Sequence, residues 1–258
     1  MLPWIQRHPL ITFFAMAYAL SWWPWAWTAL DPGNAPATIL PPGPLLAALI
    51  VLAVTGGWAA IRQFLTRIVR WRVGLHWYLV VLAVPPAITV GAVVINLLLG
   101  AGWQPHFLGW IDLGARFVFV LLFIGLGEEP AWRGFALPRL MAGRSALAAS
   151  LILGVLHIVW HLPLFGVEYD ASNVAPWMIG VLSFAIVVTW IYLHSRGSLL
   201  LPMLFHSSVN VSAVMFGWFS GGDLLRLWWL FGALWLLAAC VVVVRYGPAL
   251  TQRAFARV

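Results

Sequence analysis

Eight apolar stretches, each about as long as a membrane-spanning helix, constrain this chain more than any other feature. They lie at about residues 10–30, 43–61, 76–100, 113–135, 145–165, 175–195, 198–219 and 224–246. A bilayer core requires about 20 apolar residues per helix. The chain of 258 residues is 63% hydrophobic and only 8% charged, whereas soluble domains have about 25% charged residues. The core of a soluble protein of this length could not bury so many apolar side chains. The sequence therefore predicts an all-α, polytopic membrane helix bundle with about eight transmembrane helices.

The arginines predict the orientation of these helices, because short cytoplasmic loops of membrane proteins carry an excess of positive charge. All fourteen basic residues are arginines, and with a cytoplasmic N-terminus only Arg116 and Arg226 fall near outer ends. Both termini are therefore expected in the cytoplasm. The arginines then act as topology determinants and contact anionic lipid, so the lipid bilayer is an expected partner and nucleic acid is not.

No repeat and no soluble segment divides the sequence, so a single integral membrane domain over residues 1–258 is expected. No cleavable signal peptide is evident, because the first apolar stretch is too long and lacks a small-residue cleavage site. The polar stretch at 62–72 is expected to form an interfacial helix. The single cysteine, Cys240, lies in an apolar run and cannot form an internal disulfide.

Two of the seven acidic residues, Glu128 and Glu129, lie within the fourth apolar stretch, whereas the others fall in outer loops. An ionisable group at membrane depth costs about 2.5–3.5 kcal/mol, so such groups face a protein interior or a wet cavity. Glu129 and Arg133 have the i,i+4 spacing of an ion pair, which leaves Glu128 free for another role. Pro130 predicts an irregular helix beside a polar cavity.

Polar side chains in two other stretches are expected to meet Glu128. His157 and His161 have i,i+4 spacing in the fifth stretch, and so do His206 and Asn210 in the seventh. The turn between the fourth and fifth stretches lies near residue 144, about equally far along the chain from Glu128 and His161. In an antiparallel hairpin these two residues reach similar depth. One carboxylate, two imidazoles and an amide are therefore expected in one buried place.

These groups suit the hydrolysis of an amide by activated water. A carboxylate can take a proton from water, and a neutral imidazole can orient that water. A second imidazole and an amide can donate hydrogen bonds to the oxyanion that develops. Alternatively, Glu128, His161 and His206 could hold a zinc ion with one position open for water. The sequence lacks the HExxH motif of soluble zinc proteases, and an arginine beside the acid pair disfavours a cation. These two features favour a glutamate-dependent mechanism without zinc, and a divalent metal such as zinc stays the alternative.

Three segments resemble the motifs of the CAAX protease and bacteriocin-processing family (CPBP, or Abi). They are EEPAWRGFALPRL, LILGVLHIVWHLPLF and LPMLFHSSVN. That family includes type 2 CAAX prenyl endopeptidases and proteins like lysostaphin resistance protein A, and its members are commonly labelled metalloproteases. The resemblance covers about residues 113–215. It implies an eight-span intramembrane endopeptidase that cleaves a hydrophobic or prenylated substrate, and with the arginine bias it points to a bacterial inner membrane.

The resemblance also implies roles for individual residues. Glu128 resembles the glutamate that activates water, and His161 resembles its partner in the second motif. His206 and Asn210 resemble the pair that stabilises the oxyanion. Glu129 and Arg133 resemble the accompanying acid and arginine, which we interpret as structural support.

The second motif departs from the family pattern, which usually has an aromatic residue four positions before the histidine. Here His157 occupies that position. In a shifted register His157 would itself be the motif histidine, with Leu153 in the aromatic position. The 33-residue spacing from Glu128 and the following HLPLF favour His161. His157 is then an additional cavity histidine or a packed one.

Two other classes of function remain as alternatives. A proton-coupled carrier also uses chains of glutamate and histidine, but here the polar residues cluster near one depth and no repeat is visible. A non-catalytic membrane scaffold could bind hydrophobic tails with the same fold. The intact motifs argue against a scaffold.

Overall fold

The computed structural model describes residues 2–28, 30–31, 33–34 and 38–251, and the regular structure among them is helical, without a β-strand. The predicted all-α helix bundle is confirmed. The α-helices are α1 (Leu2–Arg7), α2 (Pro9–Thr28), α3 (Gly43–Ile68), α4 (Leu75–Leu98), α5 (Trp110–Phe119), α6 (Leu126–Glu129), α7 (Leu137–Met141), α8 (Ala146–Trp160), α9 (Val174–His194), α10 (Leu200–Ser212) and α11 (Gly221–Tyr246). Two π-helical segments, Val120–Gly125 and Pro130–Ala136, join α5, α6 and α7 into one continuous helical run.

Six helical segments of the described residues are long and apolar enough to cross a membrane, and they coincide with six of the predicted spans. They are Gly43–Ile68, Leu75–Leu98, Trp110–Met141, Ala171–His194, Leu200–Trp218 and Gly221–Tyr246. The chain is therefore an integral multi-pass membrane protein. The other two predicted spans correspond to α2 and α8. Helix α8 has 15 residues, about 22 Å, and is shorter than a bilayer core of about 30 Å.

The predicted interfacial helix at 62–72 is wrong in its bounds. Residues 62–68 belong to α3, which bends at Gly57, where a φ of 59° and a ψ of −157° interrupt the helix. Only glycine adopts this conformation readily, since it has no Cβ. Beyond the end of α3, the carbonyl of Arg70 accepts a hydrogen bond from Ser198 Oγ at 2.7 Å. This contact ties the end of α3 to the turn between α9 and α10.

Two hydrophobic clusters form the core, and the first includes the inner half of the fourth span. The first is built around Phe13, Trp132 and Trp160, which join α2, α3 and α8 to the Trp110–Met141 run. The second is built around Phe205 and Trp235, and it unites α4, α9, α10 and α11. Helix α9 packs against α8 and α11 and is the most enclosed of the long helices. The polar residues of the fourth, fifth and seventh spans meet between the two clusters.

Candidate active site

The two glutamates lie in α6, a single turn of α-helix between the two π-helical segments. Pro130 is the first residue of the second π-helical segment, so its missing N–H and its ring interrupt the ordinary α-helical pattern there. This is the irregular helix that Pro130 predicts. π-Helical turns are rare and frequently occur at functional sites.

Two glycines let other parts of the chain approach the glutamates closely. A Cβ on Gly127 would lie 2.7 Å from the carbonyl oxygen of Pro41, in the segment that leads into α3. A Cβ on Gly125 would lie 3.2 Å from both the Met203 carbonyl oxygen and Ser207 Oγ of α10. The approach at Gly127 requires glycine, whereas a Cβ at Gly125 would force α10, which carries His206, to shift by a few tenths of an ångström.

Glu129 is at the centre of a buried polar network. Its Oε1 accepts hydrogen bonds from Arg133 Nη1 at 3.0 Å and from His206 Nδ1 at 2.8 Å. Glu129 and Arg133 are both 0% exposed, and the guanidinium carbon lies 5.2 Å from the centre of the Phe184 ring. Arg133 therefore compensates the buried carboxylate, and Glu129 fixes the orientation of His206.

Glu128 belongs to a second cluster, with both histidines of the fifth span. His157 Nε2 lies 3.0 Å from Glu128 Oε2. His161 Nδ1 lies 2.9 Å from the His157 carbonyl oxygen, and because only an N–H can donate to a carbonyl, Nε2 of His161 has the free lone pair. One side-chain atom from each residue lies within 4.8 Å of the others. The structure therefore brings Glu128 and His161 together, but the direct partner of Glu128 is His157.

His206 and Asn210 lie one turn apart on α10, and both line the same cavity as Glu128. Because His206 Nδ1 contacts Glu129, its Nε2 is the atom available to a ligand in the cavity. The sequence predicts a metal site formed by Glu128, His161 and His206. The structure does not bring these three side chains together at metal-ligand distances. Among the described residues, the group with metal-ligand spacing is Glu128, His157 and His161.

A cavity of about 560 Å³ extends from these polar residues to the surface of the bundle. Most of its walls are apolar or aromatic. The lining includes Val120, Ile124, Leu164, Trp177, Val181, Phe184, Val209, Phe216, Trp228, Phe231 and Trp235. An extended, hydrophobic peptide segment would fit such walls, while the polar groups at the inner end could bind its backbone.

The cavity opens away from the arginine-rich face. Its outer lining comes from the N-terminal parts of α5, α9 and α11 and from the segment that follows α8. The arginine distribution predicts that these ends lie on the outer side of the membrane. The sequence-based expectation of an opening toward the cytoplasm is at odds with that predicted orientation, and an opening toward the lipid stays a prediction. In this structure, a cytoplasmic N-terminus and a cytoplasmic cavity mouth exclude each other.

Comparison with known proteins agrees with this site. Residues 109–212 match the family described as "Type II CAAX prenyl endopeptidase Rce1-like". The match covers less than half of the chain, which is thus similar to Rce1-like proteins over the segment that contains both glutamates. A protein named "CAAX prenyl protease 2" from Methanococcus maripaludis is 25% identical over 214 residues, which are 78% of this chain and 78% of that relative. The sequence-based resemblance is confirmed, and the family supports intramembrane endopeptidase activity in general.

The segment that matches the Rce1-like family contains every polar residue of the two clusters. It also contains residues at the cavity mouth that sequence reasoning did not single out for the site, namely Arg116, Glu168 and Tyr169. Burial raises the pKa of the Glu168 carboxyl, and burial together with the nearby Glu168 charge raises the pKa of Tyr169 to about 12. These residues belong to no recognised motif, so only the three-dimensional arrangement identifies them.

Proposed function

We propose that this protein is an endopeptidase that hydrolyses a peptide bond near a hydrophobic or prenylated segment of its substrate. One observation supports this most strongly. The carboxylate of Glu128, the free nitrogens of His161 and His206, and the amide of Asn210 all line the inner end of one apolar cavity. A peptide backbone there meets a base, a hydrogen-bond acceptor and two groups able to bind an oxyanion.

Glu128 is the base in the proposed reaction. His157 Nε2–H donates to Oε2 of Glu128 and leaves Oε1 available to a water molecule. Glu128 takes one proton from that water, while His161 Nε2 accepts a hydrogen bond from the hydrogen that stays on its oxygen. The water oxygen bonds to the peptide carbonyl carbon, and the carbonyl becomes an oxyanion. The C–N bond then breaks as the proton on Glu128 transfers to the leaving amine.

His206 and Asn210 are the proposed oxyanion stabilisers. The Glu129 carboxylate accepts a hydrogen bond from His206 Nδ1, which leaves Nε2 for the cavity; in the imidazolium form Nε2 also carries a hydrogen. An imidazolium Nε2–H and an amide N–H can both donate to the oxyanion. Arg133 shares the same carboxylate and prevents it from taking the His206 proton outright.

A bound zinc ion is the second candidate. Glu128, His157 and His161 could supply three ligands and leave one position open for water. His161 Nδ1 already contacts a backbone carbonyl, which is the outer hydrogen bond typical of a metal-bound histidine. A metal there would make its bound water more acidic. The buried guanidinium of Arg133 on the next turn argues against an additional positive charge.

The deciding experiment is proteolysis of hydrophobic and prenylated peptides by the protein in liposomes, with and without a chelator. Glu128→Gln is expected to reduce the rate by about 100-fold or more, since general base catalysis contributes about that much. Asp112→Asn, at an exposed position in α5, is the matched control and should retain the wild-type rate.

Each outcome selects one mechanism. Activity that is lost in Glu128→Gln and kept in chelator supports the glutamate-activated water. Activity that is lost in both supports the zinc site. Cleavage that survives Glu128→Gln contradicts the proposed base. Proton-driven uptake without cleavage would instead support a carrier, and peptide binding with neither activity would support a scaffold.

The side of the membrane on which substrate enters is a separate prediction. We expect the cavity mouth to face the outer side, because the arginines assign the opposite face to the cytoplasm. In a Cys240→Ser background, a membrane-impermeant thiol reagent applied to intact cells should label Glu168→Cys and not Arg144→Cys. Labelling of Arg144→Cys alone would invert the orientation and give the mouth to the cytoplasm.

A further inference from the structure

We propose that Trp22 and Tyr18 of α2 are positioning residues that fix His161 and His157 at the proposed active site. Neither lies in the segment that matches the Rce1-like family, residues 109–212. Neither belongs to the described residues that line the cavity, so each acts through the backbone of α8 and not by contact with substrate. The inference rests on the proposed endopeptidase function and adds two residues that support its site.

Two hydrogen bonds join α2 to α8. Trp22 Nε1 donates to the carbonyl oxygen of Trp160 at 2.9 Å, and the Tyr18 hydroxyl donates to that of Leu156 at 2.7 Å. Each of these carbonyls belongs to the peptide group immediately before a histidine of the site. A hydrogen bond to that peptide group restrains the backbone from which the imidazole extends.

The Trp160 carbonyl needs this donor because α8 ends there. The last four carbonyls of a helix have no N–H partner within the helix. In a continuing helix the partner of Trp160 would be the N–H of Leu164, which instead donates to the His161 carbonyl oxygen at 2.9 Å. Pro163, in the same turn, has no N–H to offer. Trp22 therefore supplies a hydrogen bond that the described residues at the end of α8 do not supply.

Regular spacing places the two donors on one face of α2. Phe14, Tyr18 and Trp22 are four residues apart, so they form one stripe along the helix. The two accepting carbonyls on α8 are also four residues apart, so α2 and α8 run in the same direction. The rings of Tyr18 and Trp22 stack with their centroids 5.0 Å apart, and Phe14 stacks on Trp132 at 6.1 Å. These stacked rings hold both donors in place.

His161 is the residue on which this restraint acts most directly. It is the C-cap of α8, with a φ of −83° and a ψ of −2°, and its Nδ1 donates to the His157 carbonyl oxygen at 2.9 Å. Without the Trp22 donor, the peptide group that leads into His161 can rotate, which weakens the Nδ1 contact. The lone pair on Nε2, which the proposed mechanism directs to the water, then loses its fixed orientation.

Two substitutions of Trp22 separate positioning from packing. Trp22→Phe keeps an aromatic ring to stack on Tyr18 and removes the N–H donor. Trp22→His keeps a donor, because imidazole Nε2 has the position that Nε1 has in the five-membered ring of tryptophan, but it fills less space. We expect Trp22→Phe to have the higher Tm and Trp22→His to have the higher kcat. A merely structural role gives Tm and kcat the same order.

Peptide cleavage by the protein in liposomes is the first readout. Trp22→Phe should lower kcat about tenfold and change KM by less than about twofold, since a misplaced catalytic group slows the reaction while the walls that bind substrate stay the same. Tyr18→Phe should lower kcat only about twofold, because the carbonyl of Leu156 keeps its partner within the helix. Trp23→Phe, at an exposed neighbouring position, is the matched control and should retain both wild-type values.

The second readout requires no cleavage. NMR of isotopically labelled histidine side chains, with the protein in nanodiscs, shows which ring nitrogens carry a hydrogen. His161 should have one protonated and one unprotonated nitrogen, because its Nδ1 donates to a carbonyl. In Trp22→Phe the two nitrogen signals should move toward each other as both tautomers become populated. The signals of His194, which packs outside the cavity, should not move.

The outcomes distinguish a failure of this inference from a failure of the proposed function. Wild-type kcat and wild-type His161 signals in Trp22→Phe overturn the positioning role. A kcat that falls only in proportion to the folded fraction also overturns it, as does a lower kcat per folded molecule in Trp22→His than in Trp22→Phe. If the wild type cleaves no peptide and Trp22→Phe still shifts the His161 signals, the peptidase proposal fails and the positioning role stands.

Discussion

Glu128 and Glu129 are neighbours in sequence, yet they occupy two different environments. Glu129 is enclosed by Arg133 and His206 and is 0% exposed, whereas Glu128 lines the cavity and contacts His157. Consecutive residues on a helix point about 100° apart, so one turn can present one carboxylate to a network and the other to a cavity. Helix geometry alone thus separates a structural carboxylate from a proposed catalytic one.

The comparison also shows why two glutamates occur together. A catalytic histidine at membrane depth needs a fixed orientation, and a carboxylate is a strong acceptor for its N–H. Glu129 supplies that acceptor to His206, and Arg133 balances its charge. Glu128 is then not needed for charge compensation and can be the proposed base.

Removing Glu129 should produce the largest effect on stability. Glu129→Ala leaves Arg133 buried without its anion, and breaking a buried pair by deleting one partner costs about 3–5 kcal/mol. Thermal unfolding in detergent should show a clear decrease in Tm. Glu128→Ala is the matched control and should lower Tm far less, since its partner His157 carries no obligatory charge. Equal decreases in Tm for the two variants would contradict the distinction between a structural Glu129 and a Glu128 that stability does not require.

The sequence predicts much of this arrangement. The i,i+4 spacing anticipates the contact between Glu129 and Arg133, and Pro130 anticipates the irregular helix. The hairpin argument brings Glu128 and His161 to the same depth, as the structure has them. These predictions succeed because they depend on helix periodicity and on the short connection between adjacent spans.

The remaining features depend on how helices rotate and cross, which spacing along the chain does not encode. Two histidines one turn apart are both near Glu128, and which of them contacts it depends on the rotation of α8. The direction in which the cavity opens depends on contacts among α5, α9 and α11.

Replacing His157 should give the smallest of the predicted effects, and it tests how the environment of Glu128 differs from that of Glu129. His157→Phe restores the aromatic residue that the family motif usually has, and it removes the Nε2–H donor to Glu128 Oε2. A hydrogen bond to a charged group contributes about 1.5–3 kcal/mol, and the lower end of that range corresponds to a fall in kcat/KM of about tenfold, which we expect here. The ring still packs between Trp132 and Trp160, whose centroids lie 5.3 and 5.9 Å away, so Tm should change little.

The matched control is His194→Phe, at the end of α9, where the histidine packs against Trp190 and Tyr246 outside the cavity. Its kcat/KM should equal that of the wild type. Full activity of His157→Phe would make His157 a packed residue and leave His161 as the sole imidazole that assists Glu128. A loss as large as that of Glu128→Gln would instead make His157 the motif histidine. An intermediate loss fits the geometry, because His157 contacts Glu128 while His161 lines the cavity with its free nitrogen, as the proposed mechanism requires.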